Sequence, residues 1–191
     1  MFTDVSNALK ITGYYNDDEI ELFQTEVKER ILLKDEILLH QGEVAKSAYF
    51  LGEGAVYQCL SESSINHCNI IDLHLKNEWF LNAESFISQR PSNYQVVAFT
   101  QSTILELSIE SIHYLTRKSA SFLQLNRVLT GISSKAYLFD HMLTPLQKYQ
   151  FIMENKRDLI QAFPLKIVAS YLKVTPETLS RVRNKLVKNN S

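Results

Sequence analysis

The sequence predicts an α+β protein, an antiparallel β-barrel followed by helices. Three observations predict it. Between Arg30 and Leu107, short apolar runs alternate with turn-prone residues, the texture of a sandwich or barrel of short strands. From Phe122 to Leu143, apolar residues recur at alternating spacings of 3 and 4, the signature of a long helix with one apolar seam. The final stretch, residues 163–190, reads as two short helices joined by a tight turn.

The elements follow in order. Residues up to about Lys28 look helical. Asp17, Asp18 and Glu19 stand at a helix start, where acids favour the dipole, and Ile20, Leu22, Phe23 and Val27 supply apolar contacts. Strand-like runs come next at 31–33, 37–40, 48–51, 55–60, 69–75, 95–99 and 104–107. Turn signals separate them: Lys34-Asp35, Gln41-Gly42-Glu43, Gly52-Glu53-Gly54, residues 61–64 and Pro91-Ser92-Asn93. A helical insert is expected at 83–88. Helix returns from about Ile109, and Phe122, Leu125, Leu129, Ile132, Ala136, Phe139 and Leu143 form the a/d seam. Leu123, Val128, Tyr137 and Leu138 lie partly off it, so this helix has two apolar surfaces. The favoured use of the seam is a two-fold dimer contact; a wide core-facing stripe is the alternative. Thr144-Pro145 restarts the chain as a further helix to about Asn155. The expected division is 1–118 barrel, 119–143 dimerisation helix and 144–191 C-terminal unit.

In that unit Leu165, Val168, Ala169 and Leu172 give the first helix an apolar face. Thr175 offers a side-chain oxygen as N-cap, and Pro176 sits at the first helical position, where its missing N–H costs nothing. Leu179, Val182 and Leu186 make a buried stripe on the second helix. The opposite face carries Glu177, Ser180, Arg181, Asn184, Lys185 and Lys188. Cap, turn, stripe and polar face agree in phase, which is the pattern of a DNA-reading helix-turn-helix rather than a terminal hairpin with solvated charges. Charge agrees. The whole chain carries −1, but residues 163–191 hold six basic residues against the single acid Glu177, a local +5, which leaves −6 on the rest. A basic tail on an acidic body suits phosphate neutralisation by one part only.

Cys59 and Cys68 lack CxxC spacing, so cysteine alone encodes no zinc or iron–sulfur site, and two free thiols in a reducing compartment are expected. The N-terminus has no signal-peptide pattern, and no apolar run of about 18 residues exists. A cytoplasmic protein without membrane contact or cofactor is the expectation.

The order barrel, long helix, helix-turn-helix resembles the Crp/Fnr family of bacterial transcription factors, most of all its divergent Bacteroidetes-type members. The resemblance covers nearly the whole chain. ILLKDEILLHQGEVAKSAYFLGEGAV is similar to the family's opening strands, with Gly42 and Gly54 at the turn glycines, and the run ASYLKVTPETLSR is the specific part. It implies a cyclic-nucleotide-binding-like jelly-roll (double-stranded β-helix) barrel, a dimerisation helix and a winged helix-turn-helix. It implies a homodimer reading a palindromic operator in double-stranded DNA, and admits RNA polymerase as a further partner. Carried over by position, Pro176, Glu177, Ser180 and Arg181 face bases. Lys166, Ser170, Lys185 and Lys188 contact phosphates, and Arg183 either reaches a phosphate or pairs with an acid. One departure stands in the turn, where Lys173 replaces the usual glycine; a left-handed lysine costs energy.

The cyclic-nucleotide cassette departs further. Asn82-Ala83 stands where the family has Gly-Glu, and Asn93-Tyr94 where it has Arg-Ser; Glu84 and Arg90 are nearby but out of register. The expected effector is therefore something other than cyclic AMP, or none, with Asn82, Ala83, Glu84, Asn93 and Tyr94 as candidate lining. Other readings stay open: a cyclic-nucleotide sensor with a shifted cassette that uses Arg90, or a metal-binding cupin-like barrel using His67 and His74 with Glu62 or Asp72. Trp79 and Phe80 read as barrel core rather than a ligand-stacking pair. The five histidines are scattered and no nucleophile–base set is readable, so an enzyme is not expected.

Overall fold

The computed structural model describes residues 5–61, 68–130 and 143–189. Two helices open the chain, α1 (Val5–Lys10) and α2 (Asp17–Glu26). Asn16 and Glu19 form a capping box at the start of α2, which satisfies two otherwise unpaired amides. Eight strands follow: β1 (Lys28–Leu32), β2 (Ile37–Leu39), β3 (Ser47–Glu53), β4 (Ala55–Ser61), β5 (Cys68–Leu75), β6 (Glu78–Phe80), β7 (Gln95–Ala98) and β8 (Ser102–Ser108). They form two antiparallel four-stranded sheets, ordered β1-β8-β3-β6 and β2-β7-β4-β5. That is the jelly-roll order of two interleaved Greek keys. The β3–β4 turn needs Gly54. Its φ is +94°, and a Cβ there would stand 2.2 Å from the Ser102 hydroxyl oxygen.

Between the sheets lie Leu32, Leu39, Leu51, Val56, Phe80, Val96, Ala98 and Ile104, all buried. The helix α3 (Ala83–Ser88) closes one end. On the outer face of the first sheet, Phe50, Leu105 and Leu107 meet α1, α2 and α4 (Ile109–Lys118). Trp79 joins that outer layer rather than the barrel interior. Its indole N–H donates to the Ala8 carbonyl at 2.8 Å, and its ring meets Phe23 edge-on. Phe80 points inward and stacks on Tyr49 and His74.

After α4 comes a 3-10 helix, Ala120–Asn126, and α5, described over Arg127–Thr130. This corrects the first part of the expected seam. Phe122 and Leu125 are buried against Leu9, Phe23, Leu107 and Leu115 of the same chain. A spacing of 3 fits one face of a 3-10 helix as well as an a/d step, and here the helix packs on its own barrel. Ser119 supports this packing, its hydroxyl donating to Glu19 Oε1 at 2.6 Å. That bond is the main reason the Glu19 carboxyl is held below its ordinary range. Ile132, Ala136 and Phe139 lie outside the described residues.

From residue 143 on, the described residues form four helices: α6 (Pro145–Asn155), α7 (Arg157–Ala162), α8 (Leu165–Tyr171) and α9 (Pro176–Asn189). The expected wing has no counterpart among the described residues, because every element after β8 is helical. The α6–α9 helices are packed on the second sheet through one shared apolar cluster. Ala55, Cys59, Ile70 and Leu73 supply the sheet side; Tyr149, Ile152, Leu159, Phe163, Val168, Tyr171, Leu172 and Leu179 supply the helical side. The expectation of free thiols is overturned, since Cys59 is disulfide-bonded; the chain's other cysteine is Cys68.

Candidate functional site

The C-terminal pair of helices is built by a turn that the sequence encodes unusually. Leu172 ends α8, Lys173 adopts a left-handed φ of 56°, and Val174 follows. The Val174 amide donates to the Ala169 carbonyl at 3.0 Å and the Lys173 amide to the Ser170 carbonyl at 3.1 Å. These two bonds make a Schellman cap, whose left-handed position favours glycine. A lysine there costs about 1–3 kcal/mol of backbone strain. The side chain offsets this. Its ammonium donates to the Ile70 carbonyl at 2.7 Å and to Asn69 Oδ1 at 2.5 Å, both on β5. Burial, and then the nearby Lys148 charge, push the Lys173 amine below its ordinary pKa.

Thr175 caps α9 through its hydroxyl oxygen, which accepts from the Thr178 amide at 3.2 Å. Leu179 is buried, while Val182 and Leu186 are half-buried against the same cluster. The stripe therefore fixes α9 by one face. On the other face Glu177, Ser180, Arg181, Arg183, Asn184 and Lys185 are exposed, and Pro176 is half-exposed. The Glu177 carboxyl lies below its ordinary range because it accepts from its own backbone amide and from Thr175 at the helix start. Lys166 is exposed in the first turn of α8.

One residue expected to contact phosphate, and one basic residue counted in the local charge, behave otherwise. Ser170 turns to the barrel, its hydroxyl oxygen accepting from the Ile70 amide at 3.0 Å. Lys173, counted in the local +5, faces β5. Two further lysines also point back from the helices: Lys148 donates to the Leu172 carbonyl at 3.2 Å, and Lys156 pairs with Glu78 at 3.2 Å. Sequence reasoning missed Ser170 and Lys173 because the docking of α8 on β5 is a tertiary fact. The anomalous Lys173 at a glycine position was its one visible sign.

The cassette around α3 is held by its own side chains. Asn82 is buried and caps α3: its Oδ1 accepts from the Ser85 amide and its amide nitrogen donates to the Ser92 hydroxyl. Ala83 is half-buried. Asn93 is exposed and donates to Glu84 Oε1 at 3.2 Å. The Tyr94 phenol is pushed up to about 12, by burial first and then by the Glu84 and Asp72 carboxylates. Arg90 is exposed. The structure thus brings Glu84 beside Asn93, and the charges that act on Tyr94 are the Glu84 and Asp72 carboxylates.

Deeper in, His74 is buried, with the Gln58 amide nitrogen 2.8 Å from its Nε2 and Asp72 Oδ2 3.3 Å from the same atom. Among the described residues no group of three or more histidine, cysteine or acidic side chains is arranged to hold a metal; Glu62 and His67 lie outside them. Nor is any described helix long and apolar enough to cross a membrane.

Residues 29–119 match the family model of the cyclic nucleotide-binding domain. The match spans the jelly roll and α4 and stops before the C-terminal helices. No curated protein matches the chain in sequence. Among solved structures it is similar to FixK2 from Bradyrhizobium japonicum, at 19% identity and a TM-score of 0.67 over 86% of each chain. It is also similar to the catabolite activator protein of Thermus thermophilus, at 17% identity and a TM-score of 0.57 over 96% of this chain and 88% of that one. A CooA mutant from Carboxydothermus hydrogenoformans matches at 16% identity and a TM-score of 0.65, over 98% and 87%. At these identities the likeness is one of fold, and it runs from the barrel into the C-terminal helices.

The cassette geometry makes a direct prediction. Asn82→Ala removes the α3 cap and the Ser92 partner together and should cost about 1–2 kcal/mol in urea unfolding. Asn93→Ala removes one exposed bond and should change the midpoint little. Equal effects would contradict a structural role for Asn82.

Proposed function

We propose that the protein is a DNA-binding transcriptional regulator of the Crp/Fnr type. The observation that carries this is the α8–turn–α9 unit. One face of α9 is anchored in the core, and the other presents Glu177, Ser180, Arg181, Arg183 and Lys185 to solvent. Arg181 reads guanine O6 and N7 with two bonds; Glu177 accepts from cytosine N4; Pro176 and Ser180 complete the base-facing set. Lys166, Arg183, Lys185 and Lys188 set register on phosphates. Structural neighbours, among them a catabolite activator protein, support the same reading.

The working unit in this proposal is a homodimer on a palindromic site, with residues 1–118 as sensor, 119–143 as connector and 144–191 as reader. The dimer contact falls on Leu129, Ile132, Ala136, Phe139 and Leu143, because Phe122 and Leu125 are already buried within the protomer. The effector is not cyclic AMP. A cyclic phosphate buried without a cation costs several kcal/mol. Here the aligned positions hold Asn93, bonded to Glu84, and Ala83, while the two nearby charges on Tyr94 are acids.

Three measurements test this. In fluorescence anisotropy with selected operators, Arg181→Ala should lose about 1–3 kcal/mol and blur one base pair per half-site, whereas Lys185→Ala should weaken all sequences alike and flatten the salt slope by about one. Unchanged binding by both variants would remove the DNA reading. Sedimentation should find dimers for the wild type and monomers for the double variant Leu129→Asp, Ile132→Asp; a monomeric wild type at micromolar concentration contradicts the seam. Calorimetric titration with cyclic AMP should give no micromolar binding, and micromolar binding that vanishes in Arg90→Ala would restore a shifted cassette.

A further inference from the structure

A cavity lies outside the cassette, between α3 and α4. Its volume is about 620 Å³, within the range of small-molecule sites. Trp79, Phe86, Ile112 and Leu125 form its walls. Ile87 and Leu123 stand at its rim, 65% and 55% exposed. Large apolar side chains this open, flanking one cleft, are an unmet burial demand.

Three of its described polar groups share one helix, and Asn126 adds an amide from the 3-10 helix. His113, Thr116 and Arg117 line the cleft from α4, at spacings that put them on one helical face. Neighbouring Lys118 is engaged elsewhere, over the Tyr114 ring. Among the described residues that line it, none is acidic. The cleft therefore offers an apolar trough with a guanidinium, an imidazole and a hydroxyl at one edge. This is the reverse of the cassette, whose charges near Tyr94 are carboxylates.

We propose that this cleft is a binding site for a single-chain amphiphile with a carboxylate head, a fatty acid. The alkyl chain lies along Trp79, Phe86, Ile112 and Leu125, and the carboxylate pairs with Arg117 beside His113. A guanidinium fits a carboxylate with two parallel hydrogen bonds, and the trough replaces water around each methylene. The occupant bridges α3 and α4 next to Val128 at the start of α5. It thus touches the connector toward the C-terminal helices. The inference stands on the cleft alone and does not depend on the DNA reading.

The test uses the full chain and its own reporter, since Trp79 is the only tryptophan. Octanoate, decanoate and dodecanoate are titrated below their micelle concentrations while Trp79 emission is followed. The expected result is a saturable change whose affinity rises about three- to fourfold per added methylene. Arg117→Gln, at an exposed position, should weaken decanoate at least fivefold, as should Ile87→Glu, which sets an acid at the open rim. Decanol should bind more weakly than decanoate by a similar factor. Absence of any saturable change overturns the proposal. So does decanol binding equal to decanoate, or an Arg117→Gln variant that binds as the wild type does. An emission change that follows protein concentration without ligand assigns the cleft to a second copy of the chain, and overturns it too.

Discussion

The β-bulge in the β4–β5 pair is the feature on which the arrangement of the chain depends. The register runs from Ala55↔Leu75 to Gln58↔Asp72 and then shifts, so that Cys59 faces Ile70. Without the extra residue, Ile70 and Leu73, three positions apart, would point to opposite faces of the sheet. With it, both enter the cluster shared with α6–α9. Beside the bulge Ile70 also offers its backbone outward: its amide donates to the Ser170 hydroxyl and its carbonyl accepts from the Lys173 ammonium. Apolar burial and these directed bonds coincide at one residue. The direction of α8 follows, and with it the solvent exposure of the polar face of α9.

The same docking explains why one lysine can hold a glycine's place. The left-handed turn at Lys173 is strained, but a glycine could not reach Asn69 and Ile70. The local cost is offset by a contact with an element about a hundred residues earlier. Charge is divided accordingly. Lys148, Lys156 and Lys173 are turned inward on carbonyls and on Glu78, while Lys166, Arg181, Arg183 and Lys185 are left outward.

Much of the fold was legible in the sequence because the signals were local. Turn residues bounded seven of the eight strands, the 83–88 helix was found in place, and Thr144 and Thr175 marked helix starts by their caps. What escaped was short or non-local. β6 has three residues behind a turn at Asn77, which takes a positive φ in the structure, and the asparagine itself was the available hint. α7 begins at Arg157, and Lys156 before it provides no side-chain cap to announce it. The Phe122–Leu125 spacing fits two helix types, and only the pocket formed by Leu9, Phe23 and Leu107 decides between them. The exposed polar face of α9 was readable by periodicity. Ser170 was not, because its partner belongs to a bulge no pattern displays. The carboxylates around Tyr94 were readable only in part: Glu84 is close in sequence and Asp72 is not.

The central claim is that the barrel and the C-terminal helices unfold as one unit through the β5–α8 contact. Native-state hydrogen exchange on the full chain tests it most directly. Amides of Ile70 to Leu75 and of Val168 to Leu172 should lose protection together, at the free energy of global unfolding. Exchange of α8 at a much lower free energy, with β5 still protected, would contradict the account.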